Sequence, residues 1–215
     1  MSYSDTICAI KSECSKINIS FSKEGDGRLT SAIKESEYLG ALKTNLLNYP
    51  DITVEIPKDR YWYDIKINNI PINLKITSGS SADNAFNKVA IIYTISGQET
   101  DKKNMNYNQW FKLIQDAPKK TVRDKMTEYH YLVVHKDTGK ILLKSILDIQ
   151  SYKTNPCNIL QINWNNEFKY MESYIPDTHF KQKIRVLLET VQASLNQYVN
   201  SMNEFCEADI NTMVV

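Results

Sequence analysis

Apolar and polar positions alternate through Tyr61, Tyr63, Ile65 and Ile67, break at Asn68-Asn69, and alternate again through Ile70, Ile72, Leu74 and Ile76. A period of two is the spacing of side chains on one face of a strand, so this stretch predicts a β-hairpin with one apolar face. By the same count Asp64 falls opposite Tyr63 and Ile65, while Asn73 and Lys75 fall together opposite Leu74. These three polar groups are expected to meet at one edge of a sheet.

Upstream the period changes. Ile7, Ile10, Cys14 and Ile17 stand at helical spacing and predict an amphipathic helix from Asp5 to about Lys16, with Asp5 as its N-cap. Gly25-Asp26-Gly27 breaks the chain before a second helix, Thr30 to Asn48, in which Glu35 heads a stripe continued by Leu39, Leu42 and Leu46. A carboxylate on such a stripe needs a partner or a metal. Asn48-Tyr49-Pro50 closes the helix, and Ile52 to Ile56 reads as a short strand leading into the hairpin.

Downstream, Thr77 to Lys88 is a Ser- and Gly-rich loop running into a short helix capped by Ser80 or Ser81. Val89 to Ser96 is an unbroken apolar run, suited to a buried central strand. Gly97 to Tyr107 reads as a surface loop and Asn108 to Gln115 as a short helix closed by Pro118. Tyr129 to His135 and Ile141 to Ile149 predict two strands joined by a turn at Asp137-Thr138-Gly139. Asn155-Pro156-Cys157-Asn158 predicts a turn, Ile159 to Trp164 a strand, and Pro176-Asp177 the start of a long helix over about 177–205. The apolar face of that helix, from Phe180 through Leu187, Val191 and Leu195 to Tyr198, Val199 and Met202, covers the sheet or supplies a dimer seam.

Composition narrows the class. A chain of 215 residues suits one α/β core, so a single domain over 1–215 is expected. No apolar run approaches the ~20 residues that span a bilayer, and charges interrupt the N-terminal stretch, so a soluble, cytoplasmic protein is expected. Cys8, Cys14, Cys157 and Cys206 show no C-x-x-C spacing and read as reduced structural thiols. With 26 Lys plus Arg against 25 Asp plus Glu, the net charge of +1 decides nothing about a polyanionic partner. Local clusters do exist, at Lys102-Lys103, at Lys119-Lys120 with Arg123 and Lys125, and at Lys181, Lys183 and Arg185. Nucleophile-elbow, Walker A, dinucleotide-binding and H-E-x-x-H motifs are absent, and His130 and His135 fall on opposite faces of one strand, so they cannot share a metal.

Helix, strand, hairpin is also the order of the PD-(D/E)xK nuclease superfamily, which this chain resembles over about residues 28–95. Asp64 matches the superfamily's first Asp, and Asn73-Leu74-Lys75 matches its (D/E)-x-K tripeptide with Asn in place of the acid. A minority of type II restriction endonucleases show that replacement; Tyr63 stands where the superfamily often has Pro. Glu35 to Leu42 fits the E-x-x-φ-φ-x-x-φ pattern of the preceding helix, with Glu37 as the competing acid on the other side.

The resemblance implies a restriction-endonuclease-like fold, an α/β domain with a mixed β-sheet core of about five or six strands and flanking helices. It also implies a Mg²⁺-dependent type II site-specific deoxyribonuclease that cuts double-stranded DNA as a homodimer, beside a cognate DNA methyltransferase. Asp64 would be the main metal ligand, joined by the Asn73 amide oxygen and the Leu74 carbonyl. Lys75 would orient or deprotonate the attacking water, and Glu35 would bind a second metal or a metal-bound water. Ser78, Ser80, Ser81, Asn84, Asn87 and Lys88, in the loop leaving the site, are expected to contact DNA and, with residues near Asn155 to Asn163, to read bases. Lys102, Lys103, Lys119 and Lys120 would give sequence-independent phosphate affinity. Two other functions stay open: a non-catalytic DNA-binding domain of the same fold, and a monomeric nicking, repair or structure-specific nuclease.

Overall fold

Asn68 and Asn69 both take positive φ, 46° and 68°, the two-residue turn whose twist matches a hairpin, so the chain reverses where the alternation breaks. The computed structural model describes residues 1–18, 27–58, 61–78, 82–100, 104–170 and 179–207, with backbone alone at 27–32 and 204–207. In chain order its strands are β1 (Val54–Glu55), β2 (Ile65–Ile67), β3 (Ile70–Thr77), β4 (Ala82–Asn84), β5 (His130–His135), β6 (Ile141–Ser145), β7 (Tyr152–Asn155) and β8 (Ile159–Asn163). Its helices are α1 (Tyr3–Ser15), α2 (Gly27–Leu46), α3 (Lys88–Ser96), α4 (Tyr107–Asp116), α5 (Trp164–Lys169) and α6 (Phe180–Glu207).

The main sheet has five strands in the order β1-β2-β3-β5-β6, and β4-β8-β7 form a second sheet of three. β1, β2 and β3 are an antiparallel meander, and β3 then runs parallel to β5 from Ile72 opposite His130 to Thr77 opposite His135. A parallel pair needs a crossover, which α3 and α4 supply. Pro71, which cannot donate, sits one residue before that parallel ladder begins at Ile72.

Two cores lie on the two faces of the main sheet. Ile65, Ile67, Ile70, Ile72, Leu74, Leu132 and Val134 bury one face against Ile10 and Cys14 of α1 and Tyr38, Leu42 and Leu46 of α2. Truncating a side chain such as Leu42 there costs about 2–5 kcal/mol. Tyr131, Val133 and Leu142 on the other face meet α3, Trp110 of α4, the second sheet, and Leu187 and Val191 of α6. Since Leu74 faces α2, the period of two sends Asn73 and Lys75 to the opposite face.

Several expectations are corrected. Val89 to Ser96 is the helix α3 rather than a strand. Buried on every side, it shows no periodicity to distinguish the two, and the deciding signals are its caps. Asn87 Oδ1 accepts from the Ala90 N–H, and Gly97 at φ 75° returns its N–H to the Tyr93 carbonyl. The stretch after Ser81 is not a helix but β4, which pairs with β8 from across the chain; Ser80 and Ser81 lie outside the described residues. The first α-helix is capped by Ser2, with Asp5 as the return partner of a capping box rather than the cap. The strand expected from Tyr61 begins only at Ile65, because Trp62 and Tyr63 turn into the opposite core. Ile146–Asp148 is a 3-10 turn rather than strand, and β7 was not expected. Gly25-Asp26 and Pro176-Asp177 lie outside the described residues. On α6, Phe180, Leu187 and Val191 are buried while Tyr198, Val199 and Met202 are exposed.

Candidate active site

β2 pairs with β3 only as far as Ile65 opposite Ile72, so from Asn73 onward β3 has an open edge on that side. Backbone groups of successive strand residues point to alternate sides. Thr77 offers its carbonyl to Lys136 on the β5 side, so Leu74 and Ile76 present theirs at the open edge. Both N–H groups there are taken by carboxylates. Leu74 N–H donates to Asp64 Oδ2 at 2.8 Å, and Ile76 N–H donates to Glu35 Oε1 at 3.4 Å. Asn73 Nδ2 donates to the same Asp64 oxygen at 2.7 Å.

The elements explain the convergence. Asp64 is the hinge where the chain leaves the aromatic core: its own N–H donates to Ile72 O at 3.0 Å, and Tyr63 beside it is anchored through its hydroxyl to Glu55. Glu35 reaches the strand because Tyr38, Leu42 and Leu46 seat that side of α2 on the sheet. Glu37 is exposed and pairs with Lys34 at 2.9 Å, so Glu35 is the acid that meets the sheet. Glu35, Asp64, Asn73 and Lys75 are thus brought together.

Electrostatics mark the two acids. Burial pushes the Glu35 carboxyl above its ordinary value; Lys75 and the Ile76 N–H pull it back, and Asp64 and Asp83 push it further up. Burial likewise raises Asp64, opposed by the Leu74 N–H and by Lys75. Asp83 on β4 is the neighbour that sequence reasoning missed as part of this acidic group. Its signal was long-range: β4 reaches the site only because it pairs with β8.

The donor set suits a hard divalent cation in kind. Asp64 Oδ2 accepts two N–H groups, Oδ1 accepts none among the described residues, and Asn73 turns its nitrogen to Asp64, leaving its oxygen and the Leu74 carbonyl as neutral oxygen donors. Mg²⁺ is usually held by one or two carboxylates plus waters. Among the described residues no three or more His, Cys, Asp or Glu side chains are grouped to hold a metal.

Residues expected at DNA divide. Asn84 is exposed, its Oδ1 accepting from Phe86 N–H at 2.9 Å. Asn87 is engaged at both ends, capping α3 and donating Nδ2 to the Trp62 carbonyl at 2.8 Å. Lys88 donates to Met105 O at 2.7 Å and lies 4.0 Å from the Tyr107 ring centre. Ser78 is half-buried with contacts of its own. The two segments expected to read bases prove to be partners in one sheet, where Asn84, Gln161 and Lys153 form a cross-strand row.

Lys119, Lys120, Arg123 and Lys183 of the basic clusters serve the fold. Lys102 and Lys103 lie outside the described residues. Lys119 caps α4 through the Ala117 carbonyl, and Lys120 bonds the Thr127 carbonyl. Arg123 is buried, gripping Glu128 with Nε and Nη2 at 2.8 Å each and Asp148 with Nη1 and Nη2 at 3.0 and 2.9 Å. Lys183 adds a bond to Asp148 at 2.7 Å, and the Ser145 hydroxyl donates to Glu128. His130 is buried between the Tyr3 hydroxyl and the Glu128 carbonyl, in keeping with a structural role.

No protein-family model matches this chain, and no curated protein matches it. No helix among the described residues is long and apolar enough to cross a membrane.

Proposed function

We propose that this chain is a Mg²⁺-dependent type II site-specific deoxyribonuclease of restriction-endonuclease-like fold, cutting double-stranded DNA in the cytoplasm. The observation that carries the reading is the open edge of β3, where Asp64 and Glu35 take the N–H groups of Leu74 and Ile76 on either side of Lys75. Asp64, the Asn73 amide oxygen and the Leu74 carbonyl would hold the cation, which when bound offsets charge on the phosphorus and acidifies water. Lys75 directs its ammonium at the scissile phosphate and orients the attacking water. Glu35, desolvated and with a raised affinity for a proton, takes up the proton that water loses.

Asn84, Gln161 and Lys153 form the DNA-facing row, joined by Ser78, Ser80, Ser81, Asn87 and Lys88 of the adjoining segment. One such site handles one strand, so a homodimer cuts both strands of a palindrome. A cognate methyltransferase protects the host's own sites.

Plasmid cleavage in Mg²⁺ tests this. Asp64→Ala and Lys75→Ala should each lower cleavage by about 10²–10⁴-fold or more while binding to cognate DNA persists. Retained cleavage by either variant removes it from the site. Linear product reports paired sites, and open circles alone report a monomeric nicking enzyme. A second reading, a non-catalytic DNA-binding domain of the same fold, is favoured by one observation: Asn73 leaves that strand without the acid and its amide is bonded to Asp64. Under it, the parent binds DNA without cutting it.

A further inference from the structure

Two stretches of chain leave the candidate site side by side. Tyr61 and Trp62 lie just before Asp64, and Phe86, Asn87 and Lys88 lie just after Asp83. The Asn87 Nδ2 bond to the Trp62 carbonyl ties them together. Between them is a cavity of about 480 Å³ walled by Tyr61, Trp62, Phe86 and Tyr107, with Lys88 and Asn104 at its rim. That volume lies within the ordinary range of small-ligand sites.

Two features specify the ligand. The walls are flat rings, with Phe86 and Tyr107 stacked at 6.4 Å between centres and 27° between planes, which suits a planar heteroaromatic guest. Lys88 is half-buried, bonded to a neutral carbonyl and set against the Tyr107 ring, and no carboxylate pairs with it among the described residues. A cation so placed calls for an anion.

We propose that this cavity binds one unpaired nucleobase together with its phosphate. The base stacks on the aromatic walls and the phosphate meets Lys88. A flat ring and an anionic tail occur together in a nucleotide. The same chemistry comes from a free nucleotide or from a base in a single strand. The site adds to the cleavage reading and does not depend on it.

Anisotropy of a fluorescein-labelled single-stranded oligonucleotide in EDTA, where no Mg²⁺-dependent cleavage occurs, measures the site alone. The parent should bind; Tyr107→Leu should weaken binding roughly tenfold, the order of one lost base stack. Lys88→Met should weaken it and flatten its salt dependence. Release of the oligonucleotide by dAMP shows that a free nucleotide fits, and resistance to dAMP shows that the strand is required; both support the site. Melting curves establish that each variant is folded, and if Tyr107→Leu is not, Lys88→Met decides. The proposal is overturned if the parent binds neither probe at millimolar concentration, or if folded variants bind as the parent does.

Discussion

Two groups of desolvated carboxylates in this molecule are treated in opposite ways. Around Arg123, Glu128 and Asp148 meet a guanidinium, the Lys183 ammonium and the Ser145 hydroxyl. Burial pushes the Asp148 carboxyl up, but Arg123 and Lys183 outweigh it and hold the group below its ordinary value. Beside β3, Glu35 and Asp64 receive backbone N–H groups, one amide and the field of Lys75, and both stay above their ordinary values. The first region is a closed rivet that joins Arg123 and Glu128 to Asp148, to Ser145 of β6 and to Lys183 of α6. The second keeps capacity for a proton or a cation, which is what a reacting site needs and a structural one does not.

Substitutions can break the comparison. The largest effect expected is the loss of cleavage in Asp64→Ala and Lys75→Ala, with little loss of stability. Arg123→Met reverses that pattern: leaving Glu128 and Asp148 without their partner should cost about 3–5 kcal/mol, read by urea unfolding. A cost near that of a surface change, within about 0.5 kcal/mol, would mean that the rivet holds nothing.

Base reading comes next in size. Asn84→Ala and Gln161→Ala should each cost roughly 1–3 kcal/mol against cognate DNA alone; equal losses on random DNA in competition binding would make the row a backbone clamp.

Melting against pH sharpens the contrast. A carboxyl raised on folding contributes stability fully below its unfolded pKa and loses it as pH rises through the folded value. Asp64→Asn and Glu35→Gln should therefore melt higher than the parent at neutral pH and lose that advantage in acid. Asp148 is lowered, so its contribution is present above the unfolded pKa and fades as pH falls through the folded one. Asp148→Asn should melt lower than the parent at neutral pH, with the gap closing in acid. The same sign in both regions would erase the distinction.

The smallest change expected is Asn73→Asp, which adds a carboxylate among the donors and should lower the Mg²⁺ concentration needed for cleavage. A mutant needing more Mg²⁺ would show that position 73 is no ligand.

How much of this was legible depended on range. The hairpin and the shared face of Asn73 and Lys75 followed from an alternation contained in one stretch, and Glu35 from a stripe within one helix, whereas Asp64 meets them from the hinge before Ile65, outside the strand. α3 escaped because a helix buried all round has no periodicity, although Asn87 and Gly97 stood ready as caps. Asp83 escaped because its place depends on β4 finding β8. Arg123 and Lys183 stand in basic clusters of the sequence yet are buried, since a count of charges carries no information about burial.

The open edge of β3 has a further meaning for solubility. An unpaired strand edge is a template on which another chain can add, and proteins blunt such edges with charge. Here Asp64 and Glu35 occupy the donors of Leu74 and Ile76 that an incoming strand would use. The acids that make the site thus also guard the sheet, and a chain stripped of both would meet its neighbours strand to strand.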